Sequence, residues 1–254
     1  MRNAPTTTAG IPSRHGAANS KFPVVVRTHL AAAAFFAVST VCGQNTDTKS
    51  TWQEEFGISS CNLATTGRNP YLVLEPGFQL VLEGGGTKLQ ITVLNETKTI
   101  DGVVTRVVEE KEWKDGKLYE IAKNYFAMCP QTKDVFYFGE EVEFYEDGKV
   151  VKRDGSWLAG VNGNRAGLMM PGTPKLNMKY YQELARGVAM DRAEIVSLTE
   201  TCKTPAGNFS KCMKVKEGSA INVLEYEYKY YAPGIGLVGD EEVRLVKHGF
   251  IKDK

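Results

Sequence analysis

FQLVLEGGGTKLQITVLN, residues 78–95, decides the fold. In KLQITVLN (88–95), Leu89, Ile91 and Val93 fall on one face, with Lys88, Gln90 and Thr92 on the other. That two-residue period belongs to a half-buried strand. The triplet Gly84-Gly85-Gly86 separates this run from FQLVLE (78–83), so the stretch reads as two strands and a tight turn. The same grammar repeats downstream. VVTRVVEEKEW (103–113) is entered through Asp101-Gly102 and left through Asp115-Gly116, KLYEIAKNYFAM (117–128) returns, and Asp147-Gly148 divides two further runs. Asp-Gly between strand-forming runs marks a type I′ hairpin turn, whose two central residues both need positive φ. Several such turns in succession describe an antiparallel meander. The fold expected is mainly β, a single antiparallel curved sheet forming a half-barrel or sandwich, with little helix.

The C-terminal third continues the pattern. TCKTPAGNFSKCMKV (201–215) reads as a hairpin turning on Pro205–Asn208. In VLEYEYKYY (223–231), Tyr226, Tyr228 and Tyr230 alternate with Glu225, Glu227 and Lys229. Residues 179–200 carry helix-forming side chains, but Gly187 interrupts them and Ile195, Val196 and Thr199 suit a strand. We read two strands joined near Arg186–Ala189, with a helix as the alternative.

The first 43 residues differ from the rest. They contain Arg2, Arg14, Lys21 and Arg27, no acidic residue, and an apolar run Leu30–Val41 before Cys42-Gly43. A basic start, a short apolar centre and a small-residue exit are the marks of a secretory signal peptide, expected over 1–43. The run is too short for a bilayer, which takes about 20 residues, so no transmembrane segment is expected in the mature chain. Cys42 raises a lipid anchor as an alternative, against which Ser39-Thr40-Val41 make a poor lipobox. The chain is therefore expected to be exported, periplasmic or extracellular. Residues 44–68 then read as a polar N-terminal extension pinned by Trp52, Phe56 and Cys61, and 69–254 as one β domain.

Charge and residue usage exclude several chemistries. The chain has 31 Lys+Arg and 30 Asp+Glu; without the four basic residues of the leader this is 27 against 30, or −3. Scattered basic residues on a weakly acidic chain give no footprint for nucleic acid. Three histidines are present, and His15 and His29 lie in the leader, which leaves His248 and no multi-histidine metal site. The glycine triplet lacks the Lys-Ser/Thr of a phosphate loop, and no cofactor is expected. Without Cys42, four cysteines remain, and none forms a CxxC pair. In an exported chain an even number suggests bridges. A three-residue turn would set Cys202 opposite Cys212, leaving Cys61 to pair with Cys129; free buried thiols are the alternative, above all for Cys61 and Cys129.

DVFYFGEEVEFYEDGKVVKRDGSWLAGVNGNRAGLMMPGTP (134–174) holds most of the candidate chemistry. Glu140, Glu141 and Glu143 could offer oxygen ligands to Ca²⁺, or a general acid and base for a hydrolase. Equally, they could be a solvated strand face. Trp157, Leu168, Met169 and Met170 could line a lipophilic pocket, with Tyr226, Tyr228 and Tyr230 as a stripe on its wall.

The blocks NPYLVLEPGFQLVLEGG, ETKTIDGVVTRVVEEKEW, DVFYFGEEVEFYEDGKVV, GSWLAGVNG, LMMPGTPKL, AEIVSLTE, TPAGNFSKCMKVKE and EYKYYAPGIGLV resemble those of an uncharacterised family of secreted bacterial proteins. More remotely, the TPAG-x-F-x-x-C hairpin and YAPGIGLV are similar to periplasmic curved-sheet proteins, including lipoprotein carriers of the LolA kind. The remoter resemblance implies a concave face able to hold an apolar group, and neither resemblance carries over a catalytic residue. The expected function is thus an exported module binding an apolar or lipid-like ligand. The alternatives are a carboxylate-dependent hydrolase using Glu140–Glu143, and a structural surface protein with no small ligand.

Overall fold

The computed structural model describes residues 51–251, and the expected signal region 1–43, with Cys42, lies outside them. A 3-10 turn at Ile58–Ser60 is the one helical element among the described residues. A small hairpin of β1 (Gly67–Asn69) and β2 (Leu72–Leu74) comes first. One meander follows: β3 (Phe78–Gly84), β4 (Thr87–Ile100), β5 (Val103–Lys114), β6 (Lys117–Met128) and β7 (Val135–Glu146). A connecting stretch carries the short strands β8 (Lys149–Lys152), β9 (Trp157–Leu158), β10 (Arg165–Met170), β11 (Lys179–Tyr181) and β12 (Glu183–Leu184). The second meander is β13 (Asp191–Thr204), β14 (Gly207–Ser219), β15 (Tyr226–Ala232), β16 (Gly236–Asp240) and β17 (Val243–Phe250).

The two meanders become one antiparallel sheet because β17 pairs with β3, in the register Arg244↔Glu83 to Phe250↔Phe78. At the other edge, β10 pairs with β7 and β12 pairs with β10, while β11 pairs with β13. The extended segment 179–184 therefore hydrogen-bonds to both free edges in turn, and the sheet is nearly closed into a barrel. The mainly β, half-barrel architecture expected from the alternation is what forms. Residues 179–200 are the strand pair, turning back through Ala185↔Ala189, and not the helix.

Curvature has a visible cause. Register shifts interrupt β4–β5 between Val93 and Thr97, β6–β7 between Asn124 and Phe126, and β17–β3 between Leu245 and Lys247. Each bulge bends its strand and increases twist, which is how an antiparallel sheet curls far enough to meet itself. Hairpin turns supply the reversals. Asp101-Gly102, Asp115-Gly116 and Asp147-Gly148 all have both residues at positive φ, 49° and 76°, 49° and 77°, 47° and 76°.

The turns fall alternately at two ends of the barrel. One end carries the reversals after β3, β5, β7, β14 and β16; the other carries those after β4, β6, β13 and β15. The second end is capped by 64–77. There Ala64 exchanges backbone hydrogen bonds with Met128, the Pro70 carbonyl accepts from Gly234 N–H at 2.8 Å, and Gly77 N–H donates to the Val93 carbonyl at 2.8 Å. Asn69 is the fixing residue: its amide donates to the carbonyls of Lys133 (2.7 Å) and Pro171 (3.0 Å) and its Oδ1 accepts from Tyr71 N–H (2.7 Å). Phe56, Ile58 and Leu63 pack on the core, and Cys61 is bonded to Cys129 on the β6–β7 connection.

The expected Cys202–Cys212 bridge is not made; both residues are free and buried. The hairpin turns on two residues, since Thr204 pairs with Gly207, which sets Cys202 opposite Phe209, and an extra residue on β14 then sets Cys212 opposite Glu200. The turn is one residue shorter than the spacing suggested, and a bulge shifts the rest. Burial, and then the neighbouring Cys212, push the Cys202 thiol up to about 12.

The Cys61–Cys129 bond spans a sequence separation of 68. A loop of that size is worth up to about 4 kcal/mol on the chain-entropy model. Replacing both cysteines by serine should lower the unfolding free energy by up to that amount in chemical denaturation. Non-reducing peptide mapping should find the 61–129 linkage, with Cys202 and Cys212 alkylated only after unfolding.

Candidate functional site

Inside the barrel is a cavity of about 360 Å³. Its lining comes from alternating inward positions, so its chemistry follows from which residues each strand places two apart. β3 contributes Phe78 and Leu80, β4 Ile91 and Val93, and β5 Val108 followed by Glu110. Inward positions on β6 are Glu120, Ala122, Asn124 and Phe126. β7 presents Tyr137 and Glu140; three apart, they share a face because the bulge near Gly139 skips a residue. The second meander adds Asp191, Glu217, Lys229, Tyr231, Leu237 and Asp240. Met169, Gln182 and Glu183 complete the wall from the closing strands, and Tyr71, Leu72 and Val73 from the cap.

The lining is polarised along the barrel. Phe78, Leu80, Phe126, Ile235, Leu237 and the cap residues lie toward the end that the 64–77 segment closes. Glu110 and Glu120 lie on the strand halves that run to the Asp115-Gly116 turn, and Glu217 and Asp240 close to the ends of β14 and β16. The result is an apolar floor and an acidic mouth.

The acids are held in two different ways. Lys229 Nζ is 3.1 Å from Glu217, 2.9 Å from Glu227 and 3.8 Å from Asp240. Glu217 also accepts from Tyr231 OH at 3.0 Å and Gln182 Nε2 at 3.2 Å, so three donors converge on its carboxyl group. Burial works to lower the lysine, but Asp240, Glu217 and Glu227 outweigh it and hold its ammonium well above the ordinary range. Lys229 in turn holds Glu227 below the usual carboxylate range. On the facing wall no such cation stands. Burial pushes Glu110 up to about 8, with Lys229 opposing and Glu120, Asp240 and Glu112 adding to it. Burial also raises Glu120 to about 7, with Glu112 adding to it. Glu140 rises to about 7 despite its bond with Tyr137. Asp240, mainly through burial, rises to about 7, and Glu183 and Asp191 rise as well. The Tyr137 hydroxyl, with one proton to give, sits between Asn124 Oδ1 and Glu140 Oε2 (3.1 Å). Glu183 accepts from Trp157 Nε1 at 3.2 Å.

The sequence-expected residues are placed variously. Glu140 faces the cavity. Glu141 and Glu143 lie on the opposite face of β7, where Glu141 pairs with Lys98 at 2.6 Å and Glu143 with Arg153 at 2.8 Å. The candidate three-carboxylate group is thus divided between two faces, with Glu141 and Glu143 on the outer one, and no three acidic, His or Cys side chains among the described residues converge to hold a metal. Of Leu168, Met169 and Met170, only Met169 lines the cavity; Leu168 and Met170 are packed in the core. Trp157 is buried behind the wall, edge-on to Tyr137. Ile91 and Val93, from the apolar face of β4, line the cavity, while Leu89 of the same face packs in the core without lining it. The tyrosine stripe is turned the other way: Tyr226 and Tyr228 are exposed, and with Tyr230 they meet Lys214 and Lys216 on the outer surface. It is Glu227, Lys229 and Tyr231 that face inward. His248 is exposed near the capped end, beside Phe209.

The inward acids Glu110, Glu120, Asp191, Glu217 and Asp240, with Lys229, were missed by the sequence reading. A signal existed: Val108-x-Glu110 and Glu120-x-Ala122-x-Asn124-x-Phe126 put charge on the same alternation as the apolar face. No family model matches the chain, and no curated protein or solved structure matches it significantly.

The folded chain binds protons at Glu110, Glu120 and Glu140 that the unfolded chain, with these groups near 4.5, has lost. Their contribution to stability is complete below about 4.5 and is lost as pH rises through about 7 to 8. Carboxylates held low, such as Glu227, act below that window. The Tm should therefore fall between pH 5 and pH 8.5, and Glu110→Gln should flatten the fall. Differential scanning calorimetry across that range checks it.

Proposed function

We propose that this is an exported binding module that takes an amphiphile into the barrel, apolar body first and polar head at the mouth. The single observation carrying this reading is the polarised cavity: an apolar floor under a cap, with ionisable groups gathered toward the opposite end. A volume of about 360 Å³ is in the range of small-molecule sites. Burial of an apolar body would supply roughly 25 cal/mol per Å² before ordering costs. The similarity to periplasmic curved-sheet carriers of apolar groups points the same way, as does the leader-like N-terminus. A purely apolar ligand, the simpler expectation, fits the floor but leaves the acidic end unused.

Carboxylate catalysis has one observation in its favour, Glu140 raised toward neutrality beside Tyr137, as a general acid needs. Glu141 and Glu143, the partners expected for it, are on the other face. Turnover of an ester or glycoside, lost in Glu140→Gln while probe binding persists, would establish that reading.

The amphiphile reading is tested with the neutral fluorescent probe N-phenyl-1-naphthylamine. Titration should give a saturable enhancement. Met169→Trp, which fills the cavity from a half-buried position, should weaken binding by roughly tenfold or more, about 1.4 kcal/mol, with little change in Tm. Unchanged binding in that variant would place the probe elsewhere.

A further inference from the structure

The mouth of the cavity is rich in carboxyl groups and poor in cations. Glu110 on β5, Glu120 on β6, Glu140 on β7 and Glu183 on β12 face it with no Lys or Arg in salt-bridge range among the described residues. On the second meander Asp191 faces it from β13, Glu217 from β14 and Asp240 from β16. Lys229, on β15, is the one cation in the lining and is already engaged by Glu217, Glu227 and Asp240. Three tyrosines also line the cavity, with their hydroxyls engaged: Tyr71 donates to the Lys211 carbonyl, Tyr137 sits between Asn124 and Glu140, and Tyr231 donates to Glu217.

A second observation is independent of the acids' number. Gln182 lines the cavity with 4 % of its surface exposed. Its amide nitrogen donates to Glu217. Beside that pair, Asp240 Oδ1 is the one buried side-chain polar atom among the described residues with no hydrogen-bond partner. Buried acceptors left without donors are costly, and such groups in a cavity are aimed at whatever fills it. The missing partner must bring donors and positive charge. A chelated metal does not suit, since no three ligating side chains converge. Carboxylates spread around a ring suit an ammonium group, a compact charge with several N–H donors.

We propose that the polar head of the ligand is a protonated amine, carried on an apolar body that fills the capped end. This rests on the amphiphile reading above and adds the sign of the head group. Binding an ammonium favours the ionised carboxylates, so it displaces the protons that the empty cavity holds near neutrality, and affinity rises with pH until the amine itself deprotonates.

Dodecylamine, dodecanol and dodecanoate share one tail and differ in the head. They are compared by displacement of N-phenyl-1-naphthylamine at pH 7.5, below the critical micelle concentration of each. The amine should bind at least tenfold tighter than the alcohol, and dodecanoate weakest. Between pH 5.5 and 8 the amine's affinity should rise while the alcohol's stays level. Glu110→Gln with Glu140→Gln should narrow the amine-to-alcohol ratio, and the pH series on the unaltered protein gives the same information should that variant fold poorly. Equal binding of amine and alcohol would overturn the charge assignment and leave the amphiphile reading standing. Preference for dodecanoate would overturn it in favour of Lys229 as the head-group partner. Displacement by none of the three would overturn both readings.

Discussion

Everything in this barrel depends on the pairing of β17 with β3. Each meander is built by local reversals, but they meet only where Arg244–Phe250 bonds to Phe78–Glu83, across most of the chain. Without that ladder there would be two sheets, each with a bare edge. With it, Phe78 and Leu80 of one meander come beside Leu237 of the other, and the floor of the cavity exists. Such a distant contact is expensive in chain entropy, so the barrel should form late and around it. The segment 179–184 completes the closure, bonding β13 with one half and β10 with the other.

Closing a sheet over charged residues carries a cost that the structure meets in two ways. Around Lys229 the charges are paired, with Glu217 accepting from three donors at once. Across the cavity burial raises Glu110, Glu120 and Glu140 to about 7 or 8, so they give up their protons less readily. Both devices avoid an isolated buried anion, the arrangement a protein interior tolerates least. A cavity that must neutralise its own walls is not optimised for stability. That is the pattern expected where a site has been kept for a ligand at some expense to the fold.

The irregular stretch after β7 has a mechanical role. Its short strands attach to β7 one after another: β8 at Glu146, β9 at Glu140 and β10 at Val135–Tyr137. Gly139 and Gly167 permit this crowding; a Cβ at Gly139 would meet the Trp157 carbonyl at 2.4 Å, and one at Gly167 the Gln182 carbonyl at 2.2 Å. The stretch thereby brings Met169, Gln182 and Glu183 to the cavity wall.

Local rules made much of this legible. A type I′ turn needs positive φ at both central residues and Asp-Gly adopts it readily, so the turns at 101, 115 and 147 could be read from two letters each. Period-two alternation likewise identified the strands, and the shared face of Leu89, Ile91 and Val93 on β4. Alternation says which residues share a face but not which face closes inward. Tyr226, Tyr228 and Tyr230 looked like a lining by their apolar rings, yet those rings cover the stems of Lys214 and Lys216 outside while Glu227, Lys229 and Tyr231 turn in. Bulges were equally invisible. The turn at 205–206 left Cys202 opposite Phe209 and an extra residue set Cys212 opposite Glu200, while another bulge put Glu140 on the face of Tyr137. The chain by itself determined strands, turns and shared faces, because those depend on neighbours in sequence. Only the tertiary structure decided which face is the inside and where the acids converge, because that depends on how the curled edges meet.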